Sequence, residues 1–214
     1  MRLTLTTFIS LDGVVQGPGG PGEDRDGGFD LGGWTVPYWG DDIAAAIDGW
    51  FGQVGAFLLG RRTYEIFAAS WPKVTDEDDP VAGRLNSLPK YVASRTLSEV
   101  SWNGSELLQG DVVQAVEELK RKPGRELQVH GSGGLAQTLI EHGLVDEYRL
   151  LTYPVVLGEG KRLFGAGARP AALRRLEHTD ASTGVSIDVY EAAGEPTFGS
   201  FEIEDDGKNP GRQS

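Results

Sequence analysis

The chain has no cysteine, no long apolar run and a shortage of positive charge, and each absence removes a class of function. Without cysteine there is no disulfide framework, no thiolate nucleophile and no cysteine-ligated zinc. No stretch reaches the roughly 20 apolar residues that cross a bilayer. The N-terminal MRLTLTTFISLDG alternates in polarity, where a signal peptide would have a continuous apolar core. The expectation is a cytoplasmic chain with no membrane partner. The three histidines, His130, His142 and His178, show no metal-site spacing, so no metal is expected. Twenty Lys and Arg stand against 32 Asp and Glu, a net charge of −12, which argues against a nucleic-acid surface. That acidity is confined to segments 22–48, 71–80 and 195–214, which account for all of it. The rest of the scaffold is free to take an anion.

The 214 residues suit one large domain or two small ones, and 39% hydrophobic content is ordinary for a globular chain. Alternation predicts a strand over 3–10. Residues 11–40, rich in Gly, Pro and Asp, read as a long loop. It carries Phe29, Trp34, Tyr38 and Trp39, more aromatics than a disordered linker holds. Helical periodicity predicts a helix over 41–53 with Asp41 or Asp42 at its N-cap. Strands follow at 56–59, 91–94, 106–108, 127–130 and 147–156. Helices are predicted at 62–69, 81–88, 111–122 (capped by Asp111) and 135–142. A terminal antiparallel pair is predicted at 173–179 and 185–192, then a flexible acidic tail over 195–214. No internal repeat is present. Alternating strands and helices from about 43 to 153 imply a mostly parallel sheet covered on both faces, with ligands at the carboxyl ends of its strands.

Three of those strand ends carry groups suited to phosphate. Gly60 is followed by Arg61, Arg62 and Thr63, placing two guanidinium groups and a hydroxyl at a helix start. Ser94 and Arg95 follow the next strand. Gly131, Ser132, Gly133 and Gly134 form a turn ahead of a helix opening at Leu135, where unpaired N–H groups attract anions. Together they point to a dinucleotide. Gly131, Gly133 and Ala136 also satisfy the G-x-G-x-x-A form of the Rossmann fingerprint. That fold places the fingerprint in its first unit, with an acid ending the next strand, whereas here it sits in the last parallel unit.

The combination resembles the dihydrofolate reductase-like superfamily, in the branch of the C-terminal reductase domain of the riboflavin-pathway deaminase-reductase. The matching motifs are Ser10-Leu11-Asp12-Gly13, Gly60-Arg61-Arg62-Thr63-Tyr64-Glu65, Ser94-Arg95-Thr96-Leu97, Gly131-Ser132-Gly133, Gly143-Leu144-Val145-Asp146-Glu147 and Pro154-Val155-Val156-Leu157-Gly158. The resemblance covers about residues 2–192. It implies a three-layer α/β fold in one domain over 1–194: a mixed, mostly parallel sheet with helices on both faces and an antiparallel C-terminal pair. It also implies an NADPH-dependent reductase. Gly60 to Thr63 would bind the adenosine 2′-phosphate and pyrophosphate region, with Ser94 and Arg95 near the adenosine. Gly131 to Leu135 would cradle the pyrophosphate, and Asp12 and Gly13 would lie near the nicotinamide. Related domains commonly form dimers, which makes a homodimer compatible with this resemblance.

Reducing a C=N bond also needs a proton. Asp41 and Asp42 stand where folate reductases carry an acid, while capping remains their alternative role; Asp48 is a further carboxyl on the same helix. Trp34, Tyr38 and Trp39 are candidates to stack on a flat heterocycle or, equally, to pack the loop on the core. The chain lacks a zinc deaminase signature and the complete folate-binding pattern. In the riboflavin-pathway enzymes a different motif usually stands in place of LLGRRTYE. The expected substrate is a small nitrogen heterocycle or ribosylaminopyrimidine. A non-catalytic NADP(H)-binding sensor or carrier is the alternative.

Overall fold

The computed structural model describes residues 1–76, 79–165 and 168–201. Eight strands form one sheet: β1 (Leu3–Ser10), β2 (Val54–Gly60), β3 (Lys90–Ala93), β4 (Ser105–Leu107), β5 (Glu126–His130), β6 (Glu147–Tyr153), β7 (Leu173–Asp180) and β8 (Ser186–Ala192), in the order β4-β3-β2-β5-β1-β6-β8-β7. The first six are mutually parallel, and β8 runs antiparallel to β6 and β7. The helices are α1 (Asp41–Phe51), α2 (Arg61–Ser70), α3 (Pro80–Ser87), α4 (Val112–Arg121) and α5 (Gly133–Glu141). The expected three-layer arrangement is present.

Strand alternation assigns each layer. Leu3, Leu5, Ala56, Leu58, Leu127 and Val129 point to one face and are covered by α4 and α5 through Val116, Leu119, Ala136 and Leu139. Phe57, Leu59, Leu151 and Tyr153 point the other way, beneath α1, α2 and α3. The central parallel strands therefore have both faces buried, as parallel sheets require.

Most boundaries differ from the sequence expectation by one or two residues, and three differences bear on the site. The strand predicted to reach 156 ends at Tyr153, because Pro154 has no N–H for the ladder. Helix α5 begins at Gly133, so the second half of the glycine turn is already helical. Helix α1 is capped by extended Gly40 without a side-chain bond, so neither Asp41 nor Asp42 is its N-cap. Asp111 does cap α4, its Oδ1 accepting from the Gln114 N–H at 3.0 Å. The expected acidic tail lies, beyond residue 201, outside the described residues.

The 11–40 loop is built onto the core. Phe29 and Trp34 are buried, and the Trp34 indole N–H donates to the Gln16 carbonyl at 2.9 Å. Gln16, itself buried, donates to the carbonyls of Asp24 and Asp26 and accepts from the Lys161 N–H. One side chain thus ties three parts of the loop system together.

Candidate functional site

A cleft of about 1120 Å³ runs along the carboxyl ends of β1, β2, β3 and β5. Its middle is two turns bonded to each other. The Ser132 hydroxyl donates to the His130 carbonyl at 3.1 Å and accepts from the Gly60 N–H at 3.0 Å. The Ser132 N–H donates to the Thr63 hydroxyl at 3.2 Å. These bonds hold Ser132 at φ +54°, a left-handed conformation that costs a non-glycine residue energy. A Cβ on Gly60 would stand 3.4 Å from that of Ser132, an ordinary contact distance, so the two turns are closely packed there. A Cβ on Gly134 would meet nothing within 4 Å, which leaves the mouth of the turn open. The N–H groups of Gly133, Gly134 and Leu135 have no hydrogen-bond partner outside the helix among the described residues. The expected phosphate groups of Gly60 to Thr63, Ser94, Arg95 and Gly131 to Leu135 all line this one cleft.

Their charges are not equally available. Arg62 pairs with Asp24 and Asp26 of the long loop, and Lys161 pairs with the same two carboxylates at 2.8 and 2.7 Å. Hydrogen bonds from Arg62 and Lys161 hold the Asp26 pKa down at about 2. Among the described residues Arg61 makes only a helical pair with Glu65 at 3.7 Å, and Arg95 is exposed. The Ser94 hydroxyl accepts from the N–H groups of Thr96 and Leu97, so it shapes its own turn as well as the cleft.

Several expected site residues lie elsewhere. Asp12 accepts from Ser10 at 2.7 Å and from the N–H groups of Leu157 and Gly158 at 3.1 and 2.9 Å, and pairs with Arg162. The Ser10 hydroxyl bond and these amides hold its carboxyl far below the usual range. Asp12 clasps Leu157 and Gly158, the Gly13 carbonyl accepts from the Leu163 N–H at 3.0 Å, and Val15 to Gly19 line the cleft in their place. Asp42 accepts from the Ser182 N–H at 2.7 Å, and neither it nor Asp41 reaches the cleft, whose α1 side begins one turn later at Ala44. Trp34 is a core side chain, edge-on to Tyr153 at 5.4 Å; Tyr38 also packs on Tyr153, at 6.0 Å. Trp39 alone of the three aromatics lines the cleft; it is half exposed and edge-on to Phe8.

Among the described residues five carboxyls line it: Glu23, Asp24, Asp48, Asp79 and Asp111. Asp24 is ion-paired, and Asp79 and Asp111 cap α3 and α4. Glu23 and Asp48 remain. Burial pushes the Glu23 pKa up, although its carboxylate accepts from the Gly19 N–H. No sequence signal distinguished Glu23, since its burial comes from the folding of the long loop. His130 was also missed as a cleft residue. Its ring lies against Phe51 and Phe57, with centroids 4.7 and 5.8 Å away. Removal from water, then the charge of Arg149, pushes its pKa down to about 3.

Comparison with known proteins adds a family. The model of the RibD C-terminal domain matches residues 2–187. The uncharacterized protein YyaP of Bacillus subtilis (strain 168) is 31% identical over 191 residues, covering 88% of this chain and 94% of that one. A crystal structure from Shewanella sp. PV-4, of a protein assigned to riboflavin biosynthesis, superposes with a TM-score of 0.68 at 22% identity over 90% of this chain and 99% of that one. A pyrimidine reductase-like protein from Corynebacterium diphtheriae superposes at 0.59 with 12% identity, over 91% and 92% of the two chains. At those identities the two superpositions speak for the fold.

Proposed function

The chain belongs to the RibD C-terminal domain family, a reductase family of the riboflavin-pathway type, and on that premise we propose that it reduces a small nitrogen heterocycle or ribosylaminopyrimidine with NADPH. The observation that carries the reading is the pair of bonded turns. Gly60–Thr63 and Gly131–Gly134 meet through Ser132 and bring free N–H groups and arginines to one cleft. The residues fit a dinucleotide phosphate: glycines where a Cβ would narrow the passage, a helix start for the pyrophosphate, and Arg61 and Arg95 with charge to spare. Arg62 joins them on release from Asp24 and Asp26. When bound, the cofactor supplies a hydride. The protein's part is to align the acceptor against Trp39 and Phe8, exclude water with the long loop, and hold a proton on Glu23 or Asp48.

Titration with NADPH and NADH tests the cofactor. NADPH should bind about tenfold or more tightly, and replacing Arg61 and Arg62 together by Ala should remove most of that preference. Binding of neither nucleotide, or a preference for NADH, would sink the reading. NADPH oxidation against a panel of dihydropterins, folates and ribosylaminopyrimidines identifies the acceptor class. Tight NADPH binding with no turnover on any of them would support the non-catalytic carrier. With an active substrate found, Glu23→Gln and Asp48→Asn separate the two acids. Loss of the true proton donor should lower kcat by roughly 10²–10⁴ and abolish the fall in rate at high pH that its deprotonation causes; unchanged profiles in both variants would exclude both.

A further inference from the structure

A row of buried polar side chains crosses the sheet beneath α1 and ends in the cleft. Glu126, Gln128 and His130 occupy alternate positions of β5 and so share one face. Glu147 and Arg149 share that face on β6. The Arg149 Nε donates to Glu147 at 2.6 Å, and its two terminal nitrogens grip both oxygens of Glu126 at 3.0 and 2.7 Å. The guanidinium also lies 5.5 Å over the Trp50 ring.

This row has one self-consistent assignment of donors. The Gln128 Nε2 lies 2.7 Å from the Trp50 carbonyl and 2.7 Å from Glu126 Oε2. A backbone carbonyl can only accept, and Glu126, gripped by an arginine that never loses its proton, can only accept as well. The amide NH₂ must face them, because turning the amide over would set its oxygen against two other oxygens. The Gln128 Oε1 therefore faces the His130 Nε2 at 3.0 Å and can only accept, so that ring nitrogen carries the hydrogen. A neutral ring then has a bare lone pair on Nδ1. This atom has no partner among the described residues, and it is not among the buried unpartnered atoms, so it is open to the cleft that His130 lines.

We propose that His130 is a specificity-determining residue: its bare Nδ1 accepts a hydrogen bond from an N–H group of the bound ligand. A ligand carbonyl at that place would oppose two lone pairs, and turning the acceptor into a donor would add a positive charge to a ring already facing Arg149. The N–H has two available sources, the carboxamide of a nicotinamide and the amino or ring N–H of a heterocyclic substrate. Only the choice of these ligands rests on the function proposed above; the tautomer does not.

Nitrogen-15 NMR of the full chain with labelled histidine tests this, the His130→Gln variant assigning one of three histidine signals. In the free protein Nε2 should show the shift of a protonated nitrogen and Nδ1 that of a bare one; the reverse pattern overturns the inference. The probes are NADPH, its 3-acetylpyridine analogue (a methyl in place of the amide NH₂) and 2,4-diaminopyrimidine. A movement of Nδ1 toward the hydrogen-bonded range with NADPH but not with the analogue assigns the carboxamide. Movement with diaminopyrimidine assigns the substrate. If nicotinamide fluorescence reports NADPH bound and Nδ1 stays still, or moves equally with the analogue, and diaminopyrimidine moves nothing, His130 does not read the ligand and the cofactor reading stands. If NADPH does not bind, the cofactor reading falls and the diaminopyrimidine arm alone decides.

Discussion

His130 leaves a signature in the unfolding equilibrium. Folding lowers its pKa from 6.5 to about 3, so between those values the unfolded chain takes up a proton that the native chain refuses. Its share of the stability is complete above the unfolded value and is lost as the pH falls toward the folded one. Urea midpoints followed from about pH 7 down to about pH 4 should therefore fall less steeply in His130→Gln than in the native chain. Asp24 and Asp26, whose pKa values are lowered by Lys161 and Arg62, lose stability over the acid end in both proteins and cancel in the comparison. Equal slopes would deny a buried neutral ring.

Among the elements, α4 offers the cleanest test of a local signal. Asp111 precedes an amphipathic run that ends in Lys120 and Arg121, and the structure shows the cap that this order predicts. Asp111→Ala should cost about 1 kcal/mol in chemical denaturation; no loss would mean that tertiary packing alone holds the helix. Elements of this kind were legible because their information is local: alternation, period and caps sit within a few residues of each other. The antiparallel ending was legible too, from the missing helices. What escaped depends on distant partners. Lys90, fully buried, donates to the carbonyls of Leu85 and Leu88 at 2.7 Å and so finishes α3 from the next strand, and nothing about its neighbours announces this. The Ser10–Gly13 and Pro154–Gly158 motifs stand out in the sequence, yet they hold each other through bonds between residues 145 and 146 positions apart. A linear reading detects both motifs without detecting the clasp.

For the molecule as a whole, the long loop decides whether the cleft has a roof. Trp34 anchors it, buried on Tyr153 with its N–H bonded to Gln16. Trp34→Ala should cost about 3–5 kcal/mol and make segment 11–40 the first site cut in limited proteolysis; a loop that stays resistant would mean that the ion pairs of Arg62 and Lys161 suffice. That the three strand ends meet in one cleft was legible because topology brings the ends of parallel strands together. Which carboxyls line the cleft was not, since helix phase and loop packing, rather than residue type, put Asp48 and Glu23 there and leave Asp41 and Asp42 outside. The sheet order has one more consequence. Strand β1 is made first but pairs only with β5 and β6, Thr4 lying between Gln128 and Glu147. On the ribosome it has no neighbour until β5, which begins at Glu126, has emerged, so the middle of the sheet must wait until more than half of the chain is made. A chain stalled before that point is left with a half-apolar strand in search of a partner.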